Sequence, residues 1–188
     1  EFKVPDNWWH DSSYHNLPLD EFYQGLKEAV TKGYGVIVGV DVSEPGKDPE
    51  HDTLFVPPYD IPGDHIDQLA REYRLAHHVT TDDHGVHVVG YTRHAGHDWF
   101  LFKDSGSSAQ RGSHRGYYFM RDDYVRLKVL SFMVHRDAVV DLLARFESKY
   151  WSSVGQGRVP IFNASGRIVH RKIEDQVIRY VPYDTVWG

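Results

Sequence analysis

Asp83-His84-Gly85-Val86-His87-Val88-Val89-Gly90-Tyr91 and Trp99-Phe100-Leu101-Phe102-Lys103-Asp104-Ser105-Gly106 are the two segments whose reading decides the fold. Each alternates or runs apolar in the manner of a buried strand. Between them Thr92 to Asp98 is polar and holds Gly96, which predicts a turn. Folding the strands back antiparallel about Ala95 places His84 and Asp104 at similar distances from the turn. The two then meet at the open end of a hairpin. An imidazole beside an oxygen-bearing partner is the base-and-orienter half of a nucleophilic site. The chain has no cysteine to complete such a site.

Outward from the hairpin, the pattern predicts a strand-rich unit with a few helices. Pro18 to Lys32 reads as a helix with Phe22, Leu26, Ala29 and Val30 on one face, stopped by Gly33. Gly35 to Val42 reads as a strand, with Val36, Val38, Val40 and Val42 facing one way and Ile37, Gly39 and Asp41 the other. Ser43 to Gly63 is rich in proline and predicts a long surface excursion. Asp64 then caps a helix through Ala76, with Ile66, Leu69 and Tyr73 inward. After the hairpin come a Gly/Ser-rich loop at Ser105 to Ser113 and strands at Tyr117–Met120 and Leu127–Val134. Asp137 caps a helix to Tyr150, with Val139, Val140, Leu143 and Phe146 inward. Strands at Arg158–Phe162, Arg167–His170 and Gln176–Val181 complete the reading, and Glu1 to His15 is an extended lead-in.

Composition narrows the function classes. The 188 residues suffice for one domain with a real core, and 40% hydrophobic with 14% aromatic content points to a folded chain. A net charge of -6 without a basic stripe argues against nucleic acid as the main partner. No apolar run reaches the length of a bilayer span. No signal-peptide pattern opens the chain, and Glu1 reads as a cut rather than a natural start. The absence of cysteine excludes disulfides and thiolate metal sites within this chain and says nothing of compartment.

Several ordered motifs carry a family resemblance. They are Val4-Pro5-Asp6-Asn7-Trp8, Asn16-Leu17-Pro18-Leu19-Asp20-Glu21-Phe22, Thr80-Thr81-Asp82-Asp83-His84-Gly85-Val86, Lys103-Asp104-Ser105-Gly106, Arg115-Gly116-Tyr117-Tyr118-Phe119-Met120 and Val134-His135-Arg136-Asp137-Ala138. Together they resemble the second half of papain-like cysteine peptidases, in the bleomycin hydrolase and bacterial aminopeptidase C branch. The match runs from Glu1 to Phe146, and residues 147–188 form an unrecognised tail. The resemblance implies an α+β fold, an antiparallel strand-rich half-barrel with flanking helices. It implies His84 as general base and then acid, Asp104 as its orienter, no cofactor, and a peptide as substrate. The nucleophilic Cys and the oxyanion Gln of that family lie in an N-terminal helical domain that is not in this chain. A Cys-bearing domain or chain is therefore the expected partner, and the closed rings common in the family are compatible with a homo-oligomer. Two departures stand out: Asp104 aligns with the family's Asn, and Gly106 replaces the Trp that shields the hydrogen bond.

Each candidate also has a plainer reading. The plainer reading of His84 is a hydrogen-bonded, inert histidine at a strand start, and that of Asp104 a turn-forming aspartate in a member that has lost activity. In that case the chain is a papain-like domain that binds a peptide or a protein partner. His84 with His87, near Asp82 and Asp83, invites a metal, but residues three apart on a strand face opposite sides, so no metal site is expected. His77-His78 meets the same objection. Asp104-Ser105-Gly106 also matches the nucleophile triplet of chymotrypsin-like peptidases, a short match that is common by chance. Trp8, Trp9, Trp99, Tyr117 and Tyr118 suit a peptide groove, with plain core as the default. Asn163-Ala164-Ser165 fits a glycosylation acceptor or simply a turn.

Overall fold

A computed structural model describes residues 14–144 and the backbone of strands at 158–162, 168–172 and 178–182. In chain order the elements are β1 (His15–Leu17), α1 (Leu19–Thr31), β2 (Val36–Val40), β3 (Lys47–Asp48), β4 (Thr53–Leu54), α2 (Gln68–Ala76), β5 (His84–His94) and β6 (His97–Lys103). Then follow β7 (Tyr117–Arg121), α3 (Asp122–Lys128), β8 (Val129–Val134), β9 (Arg158–Phe162), β10 (Ile168–Lys172) and β11 (Ile178–Pro182). Nine strands form one sheet in the order β1-β11-β8-β2-β5-β6-β7-β4-β3. Its pairs are antiparallel except β1 with β11 and β4 with β7. β9 and β10 make a separate antiparallel ribbon. The chain is thus a mixed α+β unit, a multi-stranded sheet with flanking helices.

The hairpin forms as its sequence predicts, with longer strands and a tighter turn. The turn is Ala95-Gly96 alone, both at positive φ (50° and 85°). That is the backbone of a two-residue primed turn, whose twist matches the strands it joins. His94 then pairs with His97, and Asp98 lies within β6 rather than in the turn. A bulge between Val88 and Gly90 sets both Val89 and Gly90 on the outer face. His84, Val86 and Val88 therefore share the inward side with Tyr91, although their numbers differ in parity.

Helix α1 covers this inward side. Phe22, Leu26 and Ala29 are fully buried against Phe100, Phe132 and the β2 valines. Asp20 and Glu21 sit in its first turn, where the helix dipole favours acid. Gly33 ends it at φ 88°, and Tyr34 N–H reaches back to the Ala29 carbonyl at 3.0 Å.

Three expectations fail, each for a local reason. The second helix starts at Asp67, whose side chain accepts from Ala70 N–H at 2.8 Å; Asp64 lies in a preceding 3-10 turn. That change of phase buries Arg71 and Leu75 and leaves Leu69 (72%) and Tyr73 (60%) exposed. Leu127 belongs to α3 rather than to a strand. Asp122 and Asp123 start that helix by accepting backbone N–H groups at 2.9 and 2.7 Å. Beyond β8, a 3-10 turn (Arg136–Val139) precedes helical residues 140–144, with His135 rather than Asp137 accepting at its start. Val139 and Leu143 are buried as expected, but Val140 is exposed. Phe146 and the lead-in 1–13 lie outside the described residues.

Buried ions tie the long connections to the sheet. Lys128, wholly buried, donates to Asp60 at 3.1 Å and to the Pro45 carbonyl at 2.7 Å, and pairs with Glu44 at 3.1 Å. Arg74 of α2 pairs with the same two acids. The 43–63 excursion is therefore clamped to α2 and α3. At the hairpin's turn end, Asp98 accepts from Tyr23 Oη (2.6 Å), Tyr91 Oη (2.6 Å) and Lys27 Nζ (2.7 Å). Burial pushes the Asp98 carboxyl up, but these three donors outweigh it and bring it down to about 2. A carboxylate held below its ordinary 3.8 stabilises the fold above that value, and the stabilisation is lost as pH falls toward 2. Removing it costs on the order of 2 kcal/mol. Urea unfolding between pH 5 and pH 2 is expected to show this acid-dependent loss, and Asp98→Asn is expected to flatten the slope while lowering stability at neutral pH.

Candidate functional site

His84 is the first residue of β5, and Asp104 directly follows β6. Both stand on the inward face, two residues beyond Val86 and Phe102 respectively, at the end of the hairpin away from its turn. His84 Nε2 lies 2.9 Å from Asp104 Oδ1. An ionised carboxylate only accepts, so Nε2 carries the proton and donates. The other ring nitrogen, Nδ1, then presents its lone pair and has no hydrogen bond among the described residues. The imidazole is 28% exposed and the Asp104 side chain 6%. The pair is thus a buried orienter holding a half-open base, an arrangement able to take a proton from a group placed against Nδ1.

The carboxylate is fixed from its own chain. Gly106 N–H donates to Oδ1 at 2.7 Å, and Asp104 N–H donates to the Gly116 carbonyl at 2.9 Å. A Cβ at position 106 would stand 3.1 Å from Oδ1, so glycine lets the backbone close on the acid. Beneath the pair, Val40, Val86, Phe102, Tyr118 and Met120 form an apolar wall.

The histidine is fixed through two aspartates that sequence reasoning did not assign. Asp41 was expected to face outward with Ile37 and Gly39. Instead β2 ends at Val40, after a register shift against β8, and Asp41 turns fully inward. Its Oδ1 accepts from Ser43 N–H, Ser43 Oγ and Glu44 N–H at 2.8 to 3.1 Å. Its Oδ2 accepts from Thr81 N–H at 2.7 Å and Thr81 Oγ1 at 3.3 Å. Asp83 Oδ1 accepts from Val42 N–H at 3.0 Å. The lead-in to His84 is thereby pinned to the end of β2. The signal was present in Asp41-Val42-Ser43-Glu44, an aspartate followed by residues whose N–H groups can close an Asx turn.

The remaining candidates separate. His87 lies on the exposed outer face against Gly35, where a Cβ would overlap its ring, so His84 and His87 diverge. His77 stacks on Tyr73 and bonds that residue's carbonyl at 2.8 Å. Asp82 is bonded by Ser131 Oγ at 3.3 Å on the outer face. Among the described residues no group of three or more His, Asp or Glu side chains converges. Nor is any helix among them long and apolar enough to cross a membrane. Tyr118 is buried in the core, while Trp99 and Tyr117 are half-buried. Trp8, Trp9 and Asn163-Ala164-Ser165 lie outside the described residues.

No family model matches the chain, and no curated protein matches it. Among solved structures it is similar in fold to pepw from Lactobacillus rhamnosis HN001 (DR20), determined as the selenomethionine derivative. The TM-score is 0.55 at 15% identity, over 73% of this chain and 31% of that one. At that identity the likeness shows the fold alone, and this chain spans about a third of the other's length. The labels cysteine peptidase, protease and peptidase C1-like, which the sequence resemblance implied for this chain, are corrected by these findings. The chain holds no cysteine, and neither a family model nor a curated relative attaches those labels to it. What it carries is a hydrogen-bonded His–Asp pair in a chain without cysteine.

Asp41 receives five donors and has no counter-ion in its bonds, so Asp41→Ala would leave buried donors unsatisfied. It is expected to destabilise the fold by about 3 kcal/mol in urea unfolding, whereas Thr81→Val, which removes one long bond, costs about 1 kcal/mol or less.

Proposed function

We propose that this chain supplies the general-base half of a two-part peptide-hydrolysing site of the papain-like kind. The nucleophile, a thiol, comes from another domain or chain. The observation that carries the reading is the 2.9 Å bond from His84 Nε2 to Asp104 Oδ1, on an imidazole that is 28% exposed. The α+β fold and its likeness to about a third of a larger protein fit a domain that works beside another.

In this reading a thiol placed against Nδ1 gives up its proton to His84. The thiolate attacks the peptide carbonyl carbon, and His84 returns the proton to the departing amine as the C–N bond breaks. Water, deprotonated by the same nitrogen, then releases the acyl group. Asp104 holds the ring in the tautomer and orientation this requires. The motifs from Thr80 to Met120, which resemble those of the aminopeptidase C branch, support this reading.

A second reading is a domain that has lost chemistry and binds peptide or protein in the old cleft. Gly106 favours it, because no side chain there covers the His84–Asp104 bond from solvent.

The intact mass of the native assembly, before and after denaturation, separates the two. A Cys-bearing segment or partner is expected. Its thiol should then react with iodoacetamide at near-neutral pH at least about a hundredfold faster than in the His84→Ala form. An assembly without any cysteine would sink the hydrolytic reading.

A further inference from the structure

The loop from Ser105 to Gly116 joins Asp104 to β7 and closes over the acid. Its internal bonds run Gly106 N–H to Asp104 Oδ1, Ala109 N–H to the Gly106 carbonyl at 3.1 Å, and Gly116 N–H to the Ala109 carbonyl at 2.7 Å. These link the loop to itself. Ala109 anchors the loop in the core, and the polar tie to the rest of the domain at its far end is Asp52, just ahead of β4. Its Oδ2 accepts from His114 N–H at 2.8 Å and from His114 Nδ1 at 2.9 Å, while its carbonyl accepts from Phe119 N–H at 2.7 Å.

Asp52 is costly to the fold. It is buried, its backbone is left-handed at φ 54°, and its Oδ1 has no hydrogen-bond partner. That oxygen packs against Gly112 so closely that a Cβ there would overlap it. A buried carboxylate with one unsatisfied oxygen and strained backbone persists only where the surroundings enforce it, and such positions gather at functional sites. Its hydrogen bonds do not include Lys or Arg. The ring it holds, His114, is 61% exposed and stands edge-on to Phe119 at 5.5 Å, so the ring adds little core of its own.

We propose that Asp52 is a positioning residue for the dyad. Through His114 it latches the Ser105–Gly116 loop and so keeps Asp104 aimed at His84. This rests on the reading of His84 and Asp104 as a working pair. Gly116 transmits the effect, since its carbonyl receives Asp104 N–H and Tyr117 N–H bonds the His114 carbonyl at 2.9 Å.

The test reads the pair directly in the protein labelled with 15N-histidine. The His84 Nε2–H proton is followed by its shift and its exchange with water, assigned with His84→Gln. In Asp52→Asn and in His114→Ala that proton is expected to move upfield and to exchange about tenfold faster or more, the factor set by losing roughly one hydrogen bond's worth of restraint. Far-UV circular dichroism and a cooperative melt should persist in His114→Ala, which removes only an exposed ring, so that variant decides if Asp52→Asn fails to fold. An unchanged shift and exchange rate in His114→Ala, with only a lowered melting temperature, would overturn the proposal and leave Asp52 a purely structural tie. The readout needs no activity. A chain that lacks a nucleophile-bearing partner would end the hydrolytic reading and leave this result standing, and the reverse holds equally.

Discussion

The register of the β5–β6 hairpin is the constraint on which the rest depends. Strand side chains alternate faces, so a slip of one residue would send every inward group outward. The two-residue turn at Ala95-Gly96 sets the count from one end, and the bulge at Val89 adjusts it midway. Without the bulge, Tyr91 and His84 would need opposite faces. With it, one strand delivers Tyr91 to Asp98 at the turn end and His84 to Asp104 at the open end. The core between them, Val86, Val88, Phe100 and Phe102, is what makes any other register expensive.

Around this hairpin, buried carboxylates do the joining that disulfides do in other small domains. Asp41 gathers the end of β2 and the approach to His84, and Asp98 gathers α1 and both hairpin strands. Glu44 and Asp60 gather α2 and α3 through Arg74 and Lys128. Each ion is saturated with directed donors, which is the condition under which burying charge is tolerated. Such joints fix angles as well as distances, and so hold the ends of β2 and β5 that place His84 beside Asp104.

Much of this was legible in the residues. The hairpin, helix α1 and strands β2 and β7 announce themselves by period and by Gly33, and the meeting of His84 with Asp104 follows from counting along two strands. The C-terminal strands are near their expected places, although the sheet position of β11, between β1 and β8, was not foreseen. What stayed hidden is tertiary. Hydrophobic period points to the wrong face of α2, because Arg71, a residue that usually seeks water, is its buried anchor, while Leu69 and Tyr73 are exposed. Helix α3 is too short for a clear period and reads as the start of β8. Asp41 and Asp52 look like ordinary turn acids until the loops that donate to them are brought close. Hydrophobic pattern locates elements; it says little about which polar residue the interior will recruit.

Arg71 carries a consequence for how the domain comes apart. It is fully buried over the Phe22 ring, and among the described residues its guanidinium donates to the carbonyls of Arg126 and Val129, at the end of α3. Burial, with Arg126 nearby, pulls its pKa down to about 9. No carboxylate accompanies it in those bonds, so the group is stable only while α3 offers its last carbonyls. If α2 lifts away, those carbonyls lose their donor. If α3 unwinds, a charged group is stranded in the core. The two helices are therefore bound into one cooperative unit, which opens to solvent together or not at all.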